Sequence, residues 1–179
     1  IETADRLTHH RPAKTTNIDY LDLITYSSTI YRKLAHGENR LNSQTVDEIE
    51  KELTEDFDVD VDVGLLAYEA LSDRRVYLPL YRRVLRRVDP DVALVVVGYS
   101  KEIFIEACML EGIPVVELQH GFLGYYHIGY SLPQGETKIH KPDFMFSFGP
   151  YWADAVPMFD DDVIFEVGYH QLEYGYKKY

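Results

Sequence analysis

Four apolar runs of this chain end in glycine flanked by polar or aromatic residues: Gly98-Tyr99-Ser100-Lys101, Gln119-His120-Gly121, Gly149-Pro150-Tyr151 and Gly168-Tyr169-His170. His120 carries the most chemistry among them. An imidazole titrates near pH ~6.5, so it takes a proton from a hydroxyl under neutral conditions. Gly121 leaves room for a substrate beside it. Glu117, three residues upstream, is placed either to orient the ring or to form a structural pair. On residue type alone, a strand-end histidine is more often a hydrogen-bonded structural residue than a base. The following loop holds Tyr125, Tyr126, His127 and Tyr130, whose rings suit stacking on a sugar face or anchoring the loop. The candidate catalytic residues are therefore His120 and Glu117. Candidate substrate contacts are Gln119, Gly121, His127, Tyr130, Ser100, Lys101, Gly149, Tyr169 and His170.

Other constellations carry less. No cysteine or acid completes a zinc-type spacing around His120 and His127, so no metal is expected. Asp58, Asp60, Asp62 and Glu69 fit a calcium-loop count, but Val63 stands where that loop needs glycine. Arg82, Arg83, Arg86 and Arg87 suit a solvated helix face paired with acids better than a phosphate site. The single cysteine, Cys108, sits among apolar neighbours and reads as core packing. No nucleophile elbow, phosphate loop or dinucleotide glycine fingerprint is present in the sequence.

These residues need elements to hold them. Helical spacing of Leu21, Ile24, Tyr31 and Leu34 predicts a first helix stopped by Gly37, after a loose opening through Asn17. Thr45 and Glu48 have capping-box spacing ahead of a short second helix. Strict alternation over residues 57–63 predicts a half-exposed strand, and two helices, 65–77 and 79–88, follow. The β-branched run 92–97 suits a parallel strand buried on both faces. Ser100 then caps a helix over 101–110 that turns Ile103, Ala107 and Leu110 inward and ends at Gly112. Strands follow at 114–118, 144–148 and 163–167, with a short helix at 151–156. The expected fold is α/β: a Rossmann-like, mostly parallel sheet with flanking helices and a helical N-terminal extension. Residues 1–56 form the extension and 57–179 the α/β domain. Parallel strands would bring all four glycine exits to one sheet edge, where ligands bind near a switch in strand order.

Composition narrows the partners. The 179 residues are 46% hydrophobic and 27% charged, which is ordinary for one globular domain. Eighteen Lys and Arg against 30 Asp and Glu give a net charge of −12, which argues against nucleic acid and against anionic lipid. One cysteine excludes an intrachain disulfide, and the longest apolar run falls far short of the roughly 20 residues of a membrane span. A cytoplasmic location is expected, with a membrane-peripheral position as the alternative. Ile1 rather than Met opens the chain, as expected of a piece of a longer protein.

The segment from Gly112-Ile113-Pro114 through Gln119-His120-Gly121, with His127, Gly129-Tyr130, Lys141-Pro142-Asp143 and Gly168-Tyr169, resembles a recurring pattern. It is similar to the N-terminal half of GT-B-type transferases of surface-polysaccharide synthesis, including glycerophosphotransferase-like relatives. The likeness covers roughly residues 80 to 173. It implies the acceptor-side lobe of a glycosyl or glycerophosphoryl transferase, with His120 as the histidine that deprotonates the acceptor hydroxyl. It implies no tightly bound cofactor in this part. A nucleotide-activated sugar or CDP-glycerol-like donor would sit on a C-terminal lobe or partner subunit, and a glycan or lipid-linked molecule would be the acceptor. The alternatives are a nucleotide-sugar epimerase-like protein and a non-catalytic Rossmann-like binding module.

Overall fold

The computed structural model describes residues 2–3, 18–19, 22–34, 40–124, 126–127, 129–132, 136–153, 156 and 158–178. The chain divides into two compact units, Ile1–Tyr81 and Arg82–Tyr179. The first holds a short parallel pair, β1 (Glu2–Thr3) and β2 (Ile18–Asp19), then α1 (Asp22–Leu34) and α2 (Gln44–Phe57). Helix α3 (Val63–Val88) runs through the division. The sequence boundary between residues 56 and 57 falls at the end of α2. Gly37, the expected stop of the first helix, lies outside the described residues.

Local chemistry explains where the first unit departs from expectation. The Ser43 hydroxyl, not Thr45, accepts the Val46 amide at 3.2 Å and caps α2. No strand forms over residues 57–63. Asp58 adopts the left-handed conformation (φ 53°), and the amides of Asp58 and Val59 return to the Thr54 and Leu53 carbonyls. At the other end of that segment the Asp62 carboxylate accepts the Leu65 amide at 2.8 Å and pairs with Arg40, starting α3. Alternation alone cannot make a strand when caps take the backbone at both ends. The two expected helices are one, with Pro79 inside it. Proline removes a single amide bond, and the Tyr77 and Tyr81 rings meet edge-on across it at 6.2 Å.

The second unit is α/β. Strands β3 (Ala93–Val95), β4 (Val115–Leu118), β5 (Phe144–Ser147) and β6 (Ile164–Glu166) form one parallel sheet in that order. Helix α4 (Glu102–Glu111) joins β3 to β4, α5 (Pro150–Ala153) follows β5, and α6 (His170–Lys178) follows β6. A four-stranded parallel sheet with flanking helices is consistent with a Rossmann-like fold. Helix α6 has no counterpart in the sequence expectation, because Leu172 and Tyr176 are too few to read as a helical stripe. The strand order runs in sequence, so no reversal occurs among the described strands and the expected switch point is not there.

Register assigns the faces. Ala93, Val95, Val115, Glu117 and Met145 share one face and are all buried. Leu123 and Tyr130 from the β4–β5 connection join Met145, Val156, Met158 and Phe159 in one cluster. The run 92–97 is not buried on both faces: Leu94 and Val96 are 59% and 58% exposed, and Phe165 and Val167 on β6 and just after it are also exposed. Apolar composition signals a surface that needs cover, not that the described residues supply it. Helix α4 turns Ile105, Ala107 and Cys108 fully inward, and Leu110 is exposed rather than buried. Lys101, not Ser100, is its cap residue; Ser100 has φ 63° and donates its amide to the Glu102 carboxylate at 3.2 Å. Gly112 closes the helix at φ 71°, as expected. Arg82 and Arg86 near the end of α3 grip Glu111 at 2.6 and 2.8 Å, the acidic pairing the arginine cluster suggested.

Burial pushes the Cys108 thiol up to about 12, with Asp143 adding to the effect. Folded protein at pH 8 is therefore expected to resist iodoacetamide at Cys108 and to be alkylated only in denaturant, as read by mass spectrometry. Rapid alkylation of the folded chain would contradict this packing.

Candidate functional site

Parallel strands bring the exits of β3, β4, β5 and β6 to one edge of the sheet. There an open cleft of about 400 Å³ is lined by Leu118, His120, Phe146, Phe148, Val167 and Tyr169, among others. His120 is exposed and stands just past β4, on rigid scaffold. Tyr169, also near the surface, stacks on Phe148 at 4.4 Å between centroids. Most of the wall is apolar, and His120 supplies its imidazole.

Beneath the edge lies a buried polar cluster. Glu117 is 0% exposed, and its carboxylate accepts a hydrogen bond from the Tyr130 hydroxyl, itself 0% exposed. No hydrogen bond of Glu117 to His120 is among the described contacts. The second carboxyl oxygen, Oε2, is buried without a well-formed hydrogen bond among the described residues, although the Gly98 backbone amide still favours its charge. A side-chain carbon on Gly98 would collide with this carboxyl. Gly98 is thus glycine because a buried acid occupies the space. Desolvation pushes the Glu117 carboxyl above the usual range; Tyr130, the Gly98 amide, His120 and Lys138 pull it back only in part. Burial and the neighbouring Glu117 drive the Tyr130 phenol far above its ordinary value, so it remains a donor.

Tyr99 connects this cluster to the surface. Its ring meets Tyr130 edge-on at 5.7 Å, lies 5.2 Å from His127 and 6.0 Å from His120. Its hydroxyl is 3.5 Å from His120 Nε2. A Cβ on Gly129 would come within 2.5 Å of the Tyr99 ring, so that glycine is what lets the ring seat. Tyr99 stands in a strand exit of the sequence, but its residue type alone assigns it no role. Glycine on both sides of a loop, at Gly98 and Gly129, was the available signal.

The remaining candidates divide by role. The Gln119 amide is committed to backbone: it donates to the Gly121 carbonyl at 2.9 Å and accepts from the Phe148 amide at 2.7 Å, fastening two strand exits. His127 is half-buried, and its Nδ1 accepts the Gly129 amide at 3.1 Å, so a neutral ring carries its proton on Nε2. Tyr130 is enclosed by protein rather than open to a ligand, whereas Tyr126 is 98% exposed. Tyr125 and the side chain of His170 lie outside the described residues. Ser100 and Lys101 are exposed at the start of α4, and Gly121 and Gly149 face open space, where a Cβ would meet nothing. Lys138 ties the loop to Glu102 at 2.9 Å. The Asp143 carboxylate accepts the Val115 amide at 2.8 Å, so the Pro142-Asp143 pair clips β4 to β5. Among the described residues no group of three or more metal-ligating side chains is gathered.

A raised Glu117 makes a signed prediction. The folded chain holds this proton more tightly than the unfolded one, so its stabilisation is complete below the ordinary glutamate range. It is lost as pH rises through the raised value. Urea unfolding of the wild type should therefore show stability falling over that window, and Glu117→Gln should flatten that part of the profile. An identical slope in both proteins would contradict the buried acid.

No protein family matches the chain, and comparison with curated proteins and with solved structures finds no significant match either.

Proposed function

We propose that this chain is the acceptor-side lobe of a GT-B-like glycosyl or glycerophosphoryl transferase of cell-surface or lipid-linked glycan synthesis. The observation that carries the reading is His120, exposed at the end of a parallel strand, beside an open cleft, with a tyrosine hydroxyl 3.5 Å from its ring. A base must hold its lone pair at a fixed place while the acceptor hydroxyl approaches. A strand end braced from below by Tyr130 and Glu117 provides that fixity. In this reading the hydroxyl loses its proton to His120 as it attacks carbon or phosphorus of a nucleotide-activated donor held by a further lobe. The sequence resemblance over residues 80 to 173 supports the class, and the exposure of His120 beside the cleft supports its role as base.

A binding module without chemistry is the competing reading, favoured by the exposed apolar face at Leu94, Val96 and Val167. No described helix is long and apolar enough to cross a membrane.

His120→Ala tests the assignment in the natural protein, assayed for transfer from nucleotide-sugar and CDP-glycerol donors. Loss of a positioned general base should lower kcat by about 10²–10⁴ with the fold intact by circular dichroism. Full activity in the variant would remove His120 from the mechanism. An epimerised donor formed without acceptor would favour the epimerase-like alternative.

A further inference from the structure

We propose that Tyr99 is a positioning residue that holds His120 with its ring proton on Nε2, which leaves Nδ1 as the atom that takes the acceptor proton. The inference deepens the transferase reading and rests on His120 being its base. Three observations carry it. The Tyr99 hydroxyl lies 3.5 Å from Nε2, and no other partner of that nitrogen is among the described contacts. The Tyr99 ring is seated against Gly129, where any side chain would displace it. Tyr130, which backs the ring edge-on at 5.7 Å, is in turn fixed by its bond to buried Glu117.

The contact fits either tautomer, and the role of base selects between them. If Tyr99 donated to Nε2, a neutral ring would carry its proton on Nδ1 and have no lone pair left for a substrate. With Nε2–H donating to the tyrosine oxygen, Nδ1 is the open base. Other polar groups around the ring do not select a tautomer: Glu117 acts through space from β4, His127 holds the Gly129 amide, and Tyr130 donates to Glu117. Tyr169 shares the cleft wall. The step then balances. The acceptor O–H bond breaks, its proton goes to the Nδ1 lone pair, and the oxygen pair bonds to carbon or phosphorus of a nucleotide-activated donor. The nucleotide leaves with the former bonding pair. The imidazolium still donates its Nε2–H to the Tyr99 oxygen, and the ring need not turn.

Nitrogen-15 NMR of histidine-labelled protein reads the tautomer without any substrate. The chain has seven histidines, and His120 is assigned by the signal lost in His120→Gln. At a pH where the ring is neutral, wild type should show a protonated Nε2 and an unprotonated Nδ1. Tyr99→Phe keeps the ring packing and should move both shifts toward the average of two tautomers. In a transfer assay the same variant should lose about tenfold in kcat with little change in KM, the scale of one hydrogen bond. Unchanged nitrogen shifts in Tyr99→Phe would overturn the proposal. A wild-type protein with the expected tautomer but no transfer activity would overturn the transferase reading alone.

Discussion

A carboxyl group buried in the middle strand region of a parallel sheet constrains everything around it. Glu117 occupies a position whose register neighbours are Val95 and Met145, where an apolar side chain would be the ordinary occupant. Burying such a group without hydrogen bonds costs several kcal/mol, on the order of 2–7 for an uncharged polar group and more for an ion. The structure offsets this cost in two ways: Tyr130 donates to one oxygen, and the carboxyl retains its proton above the usual range. For Tyr130 to reach it, the long connection after β4 must fold back over the sheet. Gly98 must give up a side chain to make space. The loop's conformation is therefore a consequence of the acid beneath it.

From that loop the order passes outward. Tyr130 presents its ring edge to Tyr99, Gly129 admits the Tyr99 ring, and the Tyr99 hydroxyl reaches the histidine at the surface. Two further latches tie β4 to β5: the Gln119 amide at the carboxyl edge beside the site, and the Asp143 carboxylate at the strands' opposite ends. Buried hydrogen-bonded networks of this kind specify one arrangement of a site more than they add to net stability. Residues that look like ligand contacts by type can thus be the frame that aims a neighbour.

Much of this was legible in the sequence, for physical reasons that differ by region. The parallel sheet showed through because its strands are short apolar runs separated by glycine turns, and Gly112 marked a helix end by its left-handed geometry. His120 was visible as an imidazole at a strand end. Residues 57–63 misled because alternation reports only which side chains are apolar, not whether a partner strand exists. Pro79 misled because proline weakens a helix without forbidding it. The role of Tyr99 was hidden, since aromatic contact is set by tertiary packing between loops far apart in sequence. Exposure of Leu94 and Val96 was equally unreadable, because composition records a need for cover and not its source.

A double-mutant cycle across the buried pair tests the central claim most directly. Glu117→Gln, Tyr130→Phe and the combined variant would be unfolded in urea alongside wild type near neutral pH. If the acid and the phenol form the strut described, their effects should be coupled by about 1 kcal/mol or more, within the range seen for residues in one network. Strictly additive losses would mean that the two side chains are merely neighbours, and that the loop and its histidine are held by something else.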